Sequence, residues 1–215
     1  MLKVYGMELS VPSNKVRFTA NALGLEYEYK SMNLMEGEQK ADWFVKINPV
    51  GRVPAIDDDG FSLFESNAII KYLADKNNSA YYPKDLKARA KVEQWIDFTS
   101  LHIAAAMTRV LFNRILAPVI GAEVDENSLK TGIEFLAQFL PIVDQQLGKS
   151  KYLAGDNMSL ADIVLLASVD PAEACQIDLT PYTNLVKWRQ DLQAKDFYTK
   201  CHKSYADVLA AMSAK

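Results

Sequence analysis

The chain has 215 residues, enough for one large domain or two modest ones, and its 49% hydrophobic and 24% charged content is ordinary globular composition rather than disorder. Lys+Arg 24 against Asp+Glu 27 leave a net charge of -3, without the basic field that nucleic-acid binding requires. The cysteines Cys175 and Cys201 and the histidines His102 and His202 are too few for a disulfide framework or a dedicated zinc site, so no metal is expected.

Met1-Leu2-Lys3-Val4-Tyr5 is too short and too amphipathic for a signal peptide, and no apolar run is expected to be long enough to span a bilayer. The chain therefore reads as cytoplasmic, with no membrane or nucleic-acid partner. Leu2 to Tyr5 is a short apolar strand. Lys15 to Leu23 carries Val16, Ala20 and Leu23 at helical spacing and ends at Gly24. Tyr27 to Met32 alternates as a strand does, so the first unit is a parallel pair with a right-handed crossover. A short helix follows. Then Ala55 to Phe64 forms two apolar runs around Asp59-Gly60, a hairpin signal. Asp57, Asp58 and Asp59 are read as its solvated turn rather than as a metal site. Ser66 to Lys76 carries Ile69, Ile70, Tyr72 and Leu73, the stripe of an amphipathic helix.

Asn77-Asn78-Ser79 and Pro83 mark a change of character. Beyond Lys84 the stripes are helical, through Val92, Trp95, Ile96 and Ile103, and through Ile133, Leu136, Leu140 and Leu147. The expected fold is a small α/β domain (1–78), a linker (79–85) and an all-helical domain (86–215).

Four stretches of the first domain bear chemistry. Leu9-Ser10-Val11-Pro12-Ser13 lies at the turn into the first helix, where a parallel α/β unit exposes its ligand-facing edge and a helix its positive end. The Ser10 hydroxyl can aim there at an anion, or simply cap the helix. Asn48-Pro49-Val50-Gly51-Arg52-Val53-Pro54 puts Pro54 directly before a strand. A cis Val53–Pro54 bond would turn the Val53 N–H and C=O outward, toward a bound peptide's main chain; a plain strand-initiating proline is the alternative. In Phe64-Glu65-Ser66-Asn67-Ala68-Ile69, Ser66 and the free N–H groups at a helix start suit a carboxylate and Glu65 an ammonium, unless Ser66 only caps. Glu36-Gly37-Glu38-Gln39-Lys40 is a polar loop from which Lys40 can reach a carboxylate.

Taken together, these stretches resemble, in order and approximate spacing, the cytosolic glutathione transferases over essentially the whole chain. Gly155-Asp156-Asn157-Met158-Ser159-Leu160-Ala161-Asp162-Ile163 is similar to that family's helix-capping box, with Ser159 accepting from the backbone and Asp162 reaching back to Ser159. The resemblance implies a thioredoxin-like N-terminal domain, an all-α C-terminal domain, and glutathione as co-substrate. It is closest to the serine-type members (theta, delta and phi-like), which implies that Ser10 is the catalytic donor to the glutathione sulfur, ahead of Ser13 and of Tyr5. It implies binding by Val53 beside Pro54, by Glu65 and Ser66 at the γ-glutamyl end, and by Lys40 at the glycine end. Gln39 stands where phi-like members have histidine, and Arg52 where many have Gln or Lys, so the glycine-end contacts differ in detail. A hydrophobic electrophile would lie between the Ser10 loop and the helical domain, against Ile103, Met107 and Leu111, unless that stripe is inter-helix core. His102 and Cys175 read as packing residues. Cys201 and His202 show no catalytic spacing.

The implied activity is detoxifying conjugation in the cytoplasm by a homodimer. The main alternative is a non-catalytic module like the transferase-like domain of the elongation-factor-1 gamma subunit, which carries a further domain that this chain is not expected to have. A glutathione-dependent peroxidase, isomerase or dehalogenase on the same scaffold is the other.

Overall fold

The strand–helix–strand start folds as its spacing predicts. In the computed structural model, which describes residues 1–205, 207 and 208, β1 (Leu2–Gly6) runs parallel to β2 (Glu28–Ser31), with α1 (Val11–Ala22) as the crossover. A 3₁₀ turn (Glu38–Lys40) and α2 (Asp42–Val45) lead to the hairpin β3 (Ala55–Asp58) and β4 (Phe61–Phe64). Asp59 and Gly60 form its turn at φ 54° and 90°, the left-handed geometry that a two-residue hairpin loop requires. The sheet order is β2-β1-β3-β4, with β3 antiparallel to both neighbours, and α3 (Ser66–Lys76) follows. This is the thioredoxin-like arrangement expected from the sequence. One core cluster gathers Tyr5, Met32, Phe44 and Ala55. Asp58 binds both Tyr72 Oη (2.7 Å) and Lys76 Nζ (2.5 Å), tying α3 to the hairpin.

The described residues divide into two units, Met1–Tyr82 with Lys195–Lys203, and Pro83–Ala194 with Ser204 and Tyr205. The return of 195–203 to the first unit departs from the expected boundary, which kept 86–215 together. Its cause is aromatic: α10 (Asp196–Thr199) sets Phe197 and Tyr198 against the fully buried Phe18 of α1, with ring centroids 6.2 and 5.1 Å away. Asn21 also donates to the Phe197 carbonyl at 3.1 Å.

The second unit is helical, as expected. A continuous run from Leu86 to Ile120 comprises α4 (Leu86–Phe98), a π-helical segment (Thr99–Ala104), α5 (Ala105–Leu111), a second π-helical segment (Phe112–Leu116) and α6 (Ala117–Ile120). By length and composition this run could cross a bilayer, which corrects the expectation that none is long enough. Its buried stripe (Val92, Ile96, Ile103, Met107, Val110) packs on α7 (Glu126–Leu147) and α8 (Leu160–Val169), as a core helix does. The unit also holds α9 (Thr183–Gln193).

Close approach of α5 to α7 is made possible by Gly132. A Cβ there would lie 2.9 Å from the Ala106 carbonyl oxygen and 3.0 Å from Val110 Cγ2. Backbone cannot yield as a flexible side chain can, so Gly132→Val is expected to destabilise the chain by ~2 kcal/mol. Urea denaturation of the variant checks this.

Candidate active site

The register of the sheet brings the singled-out residues of the first unit to one end. Tyr5 pairs with Ala55 and Ala55 with Phe64, forming one row across β1, β3 and β4. Just past that row lie the Ser10 loop after β1, Val53-Pro54 before β3, and Glu65-Ser66 after β4. From β1 to β4 is two strand spacings, about 10 Å. Three extended residues cover about the same distance. The stretch of the sheet end from β1 to β4 is about as wide as a tripeptide is long.

Ser10 is the N-cap of α1, with extended backbone (φ -81°, ψ 109°), and its Oγ accepts from the Ser13 N–H at 3.3 Å. Pro12 sits in the first turn, where its missing N–H costs nothing. The helix therefore begins at Val11, earlier than the apolar spacing suggests. A hydroxyl both accepts and donates. The capping bond occupies an acceptor site and leaves the proton of Ser10 for something else. Ser10 is half-buried, whereas Ser13 is fully buried and its Oγ accepts from the Met7 N–H at 3.3 Å. Tyr5 is buried, its ring 5.8 Å from that of Trp43 and 5.9 Å from that of Phe44.

The Val53–Pro54 bond is cis. Neither the N–H nor the C=O of Val53 has a hydrogen-bond partner among the described residues. The loop before it is fastened by Asn48, a residue whose role the sequence reading missed. Buried Asn48 donates to the Arg52 carbonyl at 2.6 Å and accepts from the Val50 N–H at 3.0 Å. Asn48→Ala strands both backbone groups, so a loss of about 2 kcal/mol is expected on thermal melting. Gly51, at φ 62°, has no room for a side chain, since a Cβ would stand 2.9 Å from Lys40 Nζ and 3.0 Å from the Gln39 carbonyl. Lys40 is exposed and donates to the Val50 carbonyl at 3.3 Å. Arg52 is exposed as well. Gln39 donates to the Leu34 carbonyl at 3.5 Å, and its Oε1 is buried without a partner.

Glu65 is the N-cap of α3 and makes no side-chain capping bond. Its φ of 69° is strained for a residue with a Cβ, and such strain gathers at functional positions. Ser66 is buried in the first turn. Behind this helix start lies Lys15 of α1, only 5% exposed, donating to Asn67 Oδ1 at 3.3 Å. Burial lowers Lys15 from 10.5 to about 8, and the Glu65 carboxylate pulls the other way. The unfolded chain holds this proton longer than the folded one does. Wild type should therefore gain stability relative to Lys15→Met as pH rises from about 8 to 10.5, and the difference should be flat below that range. Thermal melts of both proteins at neutral pH and at about pH 9.5 test the sign.

In the second unit Ile103, Met107 and Leu111 are buried along the seam of α5 and α7 and the π-helical turn before them. That is the arrangement of an inter-helix core, the other reading of the stripe. Burial pushes the Cys175 thiol up to about 12, which suits a packing residue and not a nucleophile. His102 packs against Phe139, with ring centroids 4.5 Å apart and planes tilted by 33°. The capping box of α8 forms as expected: Asp162 accepts from the Ser159 N–H (2.9 Å) and Oγ (3.1 Å), and also from the Leu153 N–H (3.0 Å) and Trp188 Nε1 (3.1 Å).

A family model for the glutathione S-transferase N-terminal domain matches residues 1–75, and one for the C-terminal domain of the same family matches residues 100–196. Glutathione S-transferase F10 of Arabidopsis thaliana is 34% identical over 169 residues, 77% of this chain and 78% of that protein. Glutathione S-transferase D7 of Drosophila melanogaster is 33% identical over 190 residues, 87% of this chain and 82% of that protein. Among solved structures, maize glutathione S-transferase I in complex with an atrazine glutathione conjugate superposes with a TM-score of 0.85. That match has 30% identity and covers 99% of this chain and 98% of the maize one.

Proposed function

Because the chain belongs to the glutathione S-transferase family, among its serine-type phi- and delta-like members, we propose that the Ser10 hydroxyl holds the sulfur of bound glutathione as a thiolate for attack on hydrophobic electrophiles. The observation that carries this reading is the capping bond of Ser10, which leaves a hydroxyl proton at a helix N-terminus on the tripeptide-wide end of the sheet.

A cysteine-like thiol has a pKa near ~8.5, so only a few per cent of it is ionised at neutral pH. Lowering that value by ~2 units takes about 2.7 kcal/mol of preference for the anion. A charge-assisted O–H···S⁻ bond together with the positive first turn of α1 can supply that much. No protein base is needed, because the proton leaves to solvent. The cysteinyl main chain of glutathione would pair with the N–H and C=O of Val53, which have no partner among the described residues. Glu65 would receive the γ-glutamyl ammonium, and Ser66 with the first N–H groups of α3 the adjacent carboxylate. Lys40 and Arg52 would face the glycine carboxylate.

The family's enzymatic activity makes conjugation the first assay. Retention on immobilised glutathione with turnover of a generic aryl halide is the expected result. Retention without turnover of any electrophile or peroxide would point to a binding module instead. We place the activity in the cytoplasm and in a homodimer; the free thiols of Cys175 and Cys201 suit a reducing compartment. Light scattering of the purified protein tests the assembly.

A further inference from the structure

Lysine is among the side chains least often buried, yet Lys15 is only 5% exposed. It lies in α1, which packs on α3, β1 and α10, and its Nζ is directed to the start of α3. Asn67 Oδ1 accepts from it at 3.3 Å, and Glu65 is the charged group whose field it feels. Both residues flank Ser66. Burial weighs more on the charge of Lys15 than the attraction of Glu65 does. A cation buried to this extent, bonded to Asn67 and set behind a residue of strained backbone at a helix N-terminus, is placed to act on a ligand at that end.

Building on the proposed glutathione site, we propose that Lys15 is a positioning residue for the γ-glutamyl end of the tripeptide. It acts by fixing Asn67 and by offsetting the charge of Glu65. The γ-glutamyl end is a zwitterion, with an ammonium and a carboxylate on the same carbon. Glu65 alone attracts the first and repels the second. With Lys15 behind it, the site presents negative and positive charge side by side, and the helix start adds to the positive part. Lys15 touches the ligand through neither group; it sets the field and the side chains that do.

The test compares wild type, Lys15→Met and Lys15→Arg with two thiols, glutathione and cysteinylglycine, which lacks the γ-glutamyl end. The expected result for Lys15→Met is a glutathione KM and calorimetric Kd raised about tenfold, kcat within about twofold, and unchanged or higher thermal stability at neutral pH. Lys15→Arg should restore KM to within about threefold of wild type. With cysteinylglycine the three proteins should be alike. An unmoved KM for glutathione in Lys15→Met overturns the proposal. Equal losses with both thiols, or failure of Lys15→Met to fold, overturn it too by assigning the residue to the core. If wild type itself does not bind glutathione, the reading of the whole site fails; binding by wild type with no effect of Lys15→Met removes Lys15 alone.

Discussion

Ser10→Ala is expected to lower conjugating turnover at neutral pH by about 20-fold while glutathione binding stays within about threefold of wild type. The size follows from the ionisation of the thiol. If the hydroxyl and helix terminus hold the sulfur ~2 units below its ordinary value, most of it is thiolate at pH 7. Without the hydroxyl, most of the thiol stays protonated. A hydrogen bond to a charged group contributes ~1.5–3 kcal/mol, which brackets this effect. The loss should therefore shrink as pH rises, because alkaline solvent ionises the thiol without help. Two measurements belong together: a pH–rate profile and an ultraviolet titration of bound thiolate. One complication is built into the fold, since Ser10 also caps α1 and its removal costs about 1 kcal/mol of stability. Ser10→Thr keeps both the cap and a donor, so it should retain far more activity than Ser10→Ala. Turnover of Ser10→Ala equal to wild type at neutral pH would exclude this hydroxyl from the chemistry.

Asp162→Ala should be the most damaging single change to the second unit, with a loss of about 3–5 kcal/mol. The Asp162 carboxylate is fully buried and accepts from four donors, which belong to the loop at Leu153, the cap at Ser159 and Trp188 of α9. Burial pushes the carboxyl above its ordinary value, and those four donors oppose the shift by favouring the anion. Truncation leaves all four donors without an acceptor in a dry interior. Asp162→Asn keeps the shape but turns an NH2 toward N–H groups, so it should recover little. Ser159→Ala removes one donor and one cap and should cost about 1 kcal/mol. For a chain of this size the Asp162→Ala loss corresponds to a drop in Tm of about 10 °C. Melting within 3 °C of wild type would show that the network contributes little.

Much of the architecture was legible because local signals agreed with one another. Asp59-Gly60 fixed the hairpin, Ser10 with Pro12 marked a helix entrance, and the box from Ser159 to Asp162 announced α8. The start of α1 was misplaced because Val11 and Pro12 break the apolar spacing while fitting a first turn well. Lys15 and Asn48 were not legible as buried residues. Helix α1 is covered on several sides, so Ser13, Asn14, Lys15, Arg17 and Thr19 are all buried although none is apolar. Periodicity reports one buried face and is blind to a helix enclosed by its neighbours. The long run from Leu86 to Ile120 misled for another reason. Each π-helical segment widens the turn and shifts the phase of the stripe, so the stripe through Val92, Trp95, Ile96 and Ile103 does not show how far the helical run extends.

The return of Phe197 and Tyr198 to Phe18 has a consequence for the order of events on the ribosome. A nascent chain ordinarily completes its first domain while the second is still being made. Here the helix capped by Ser10 keeps an uncovered aromatic flank until a segment that follows Pro83–Ala194 in the chain emerges and docks on it. Competence to take up the thiol peptide should thus appear only after residues 195–203 have emerged, and a transcript cut short before that segment should yield a sticky product fit mainly for chaperones and proteases.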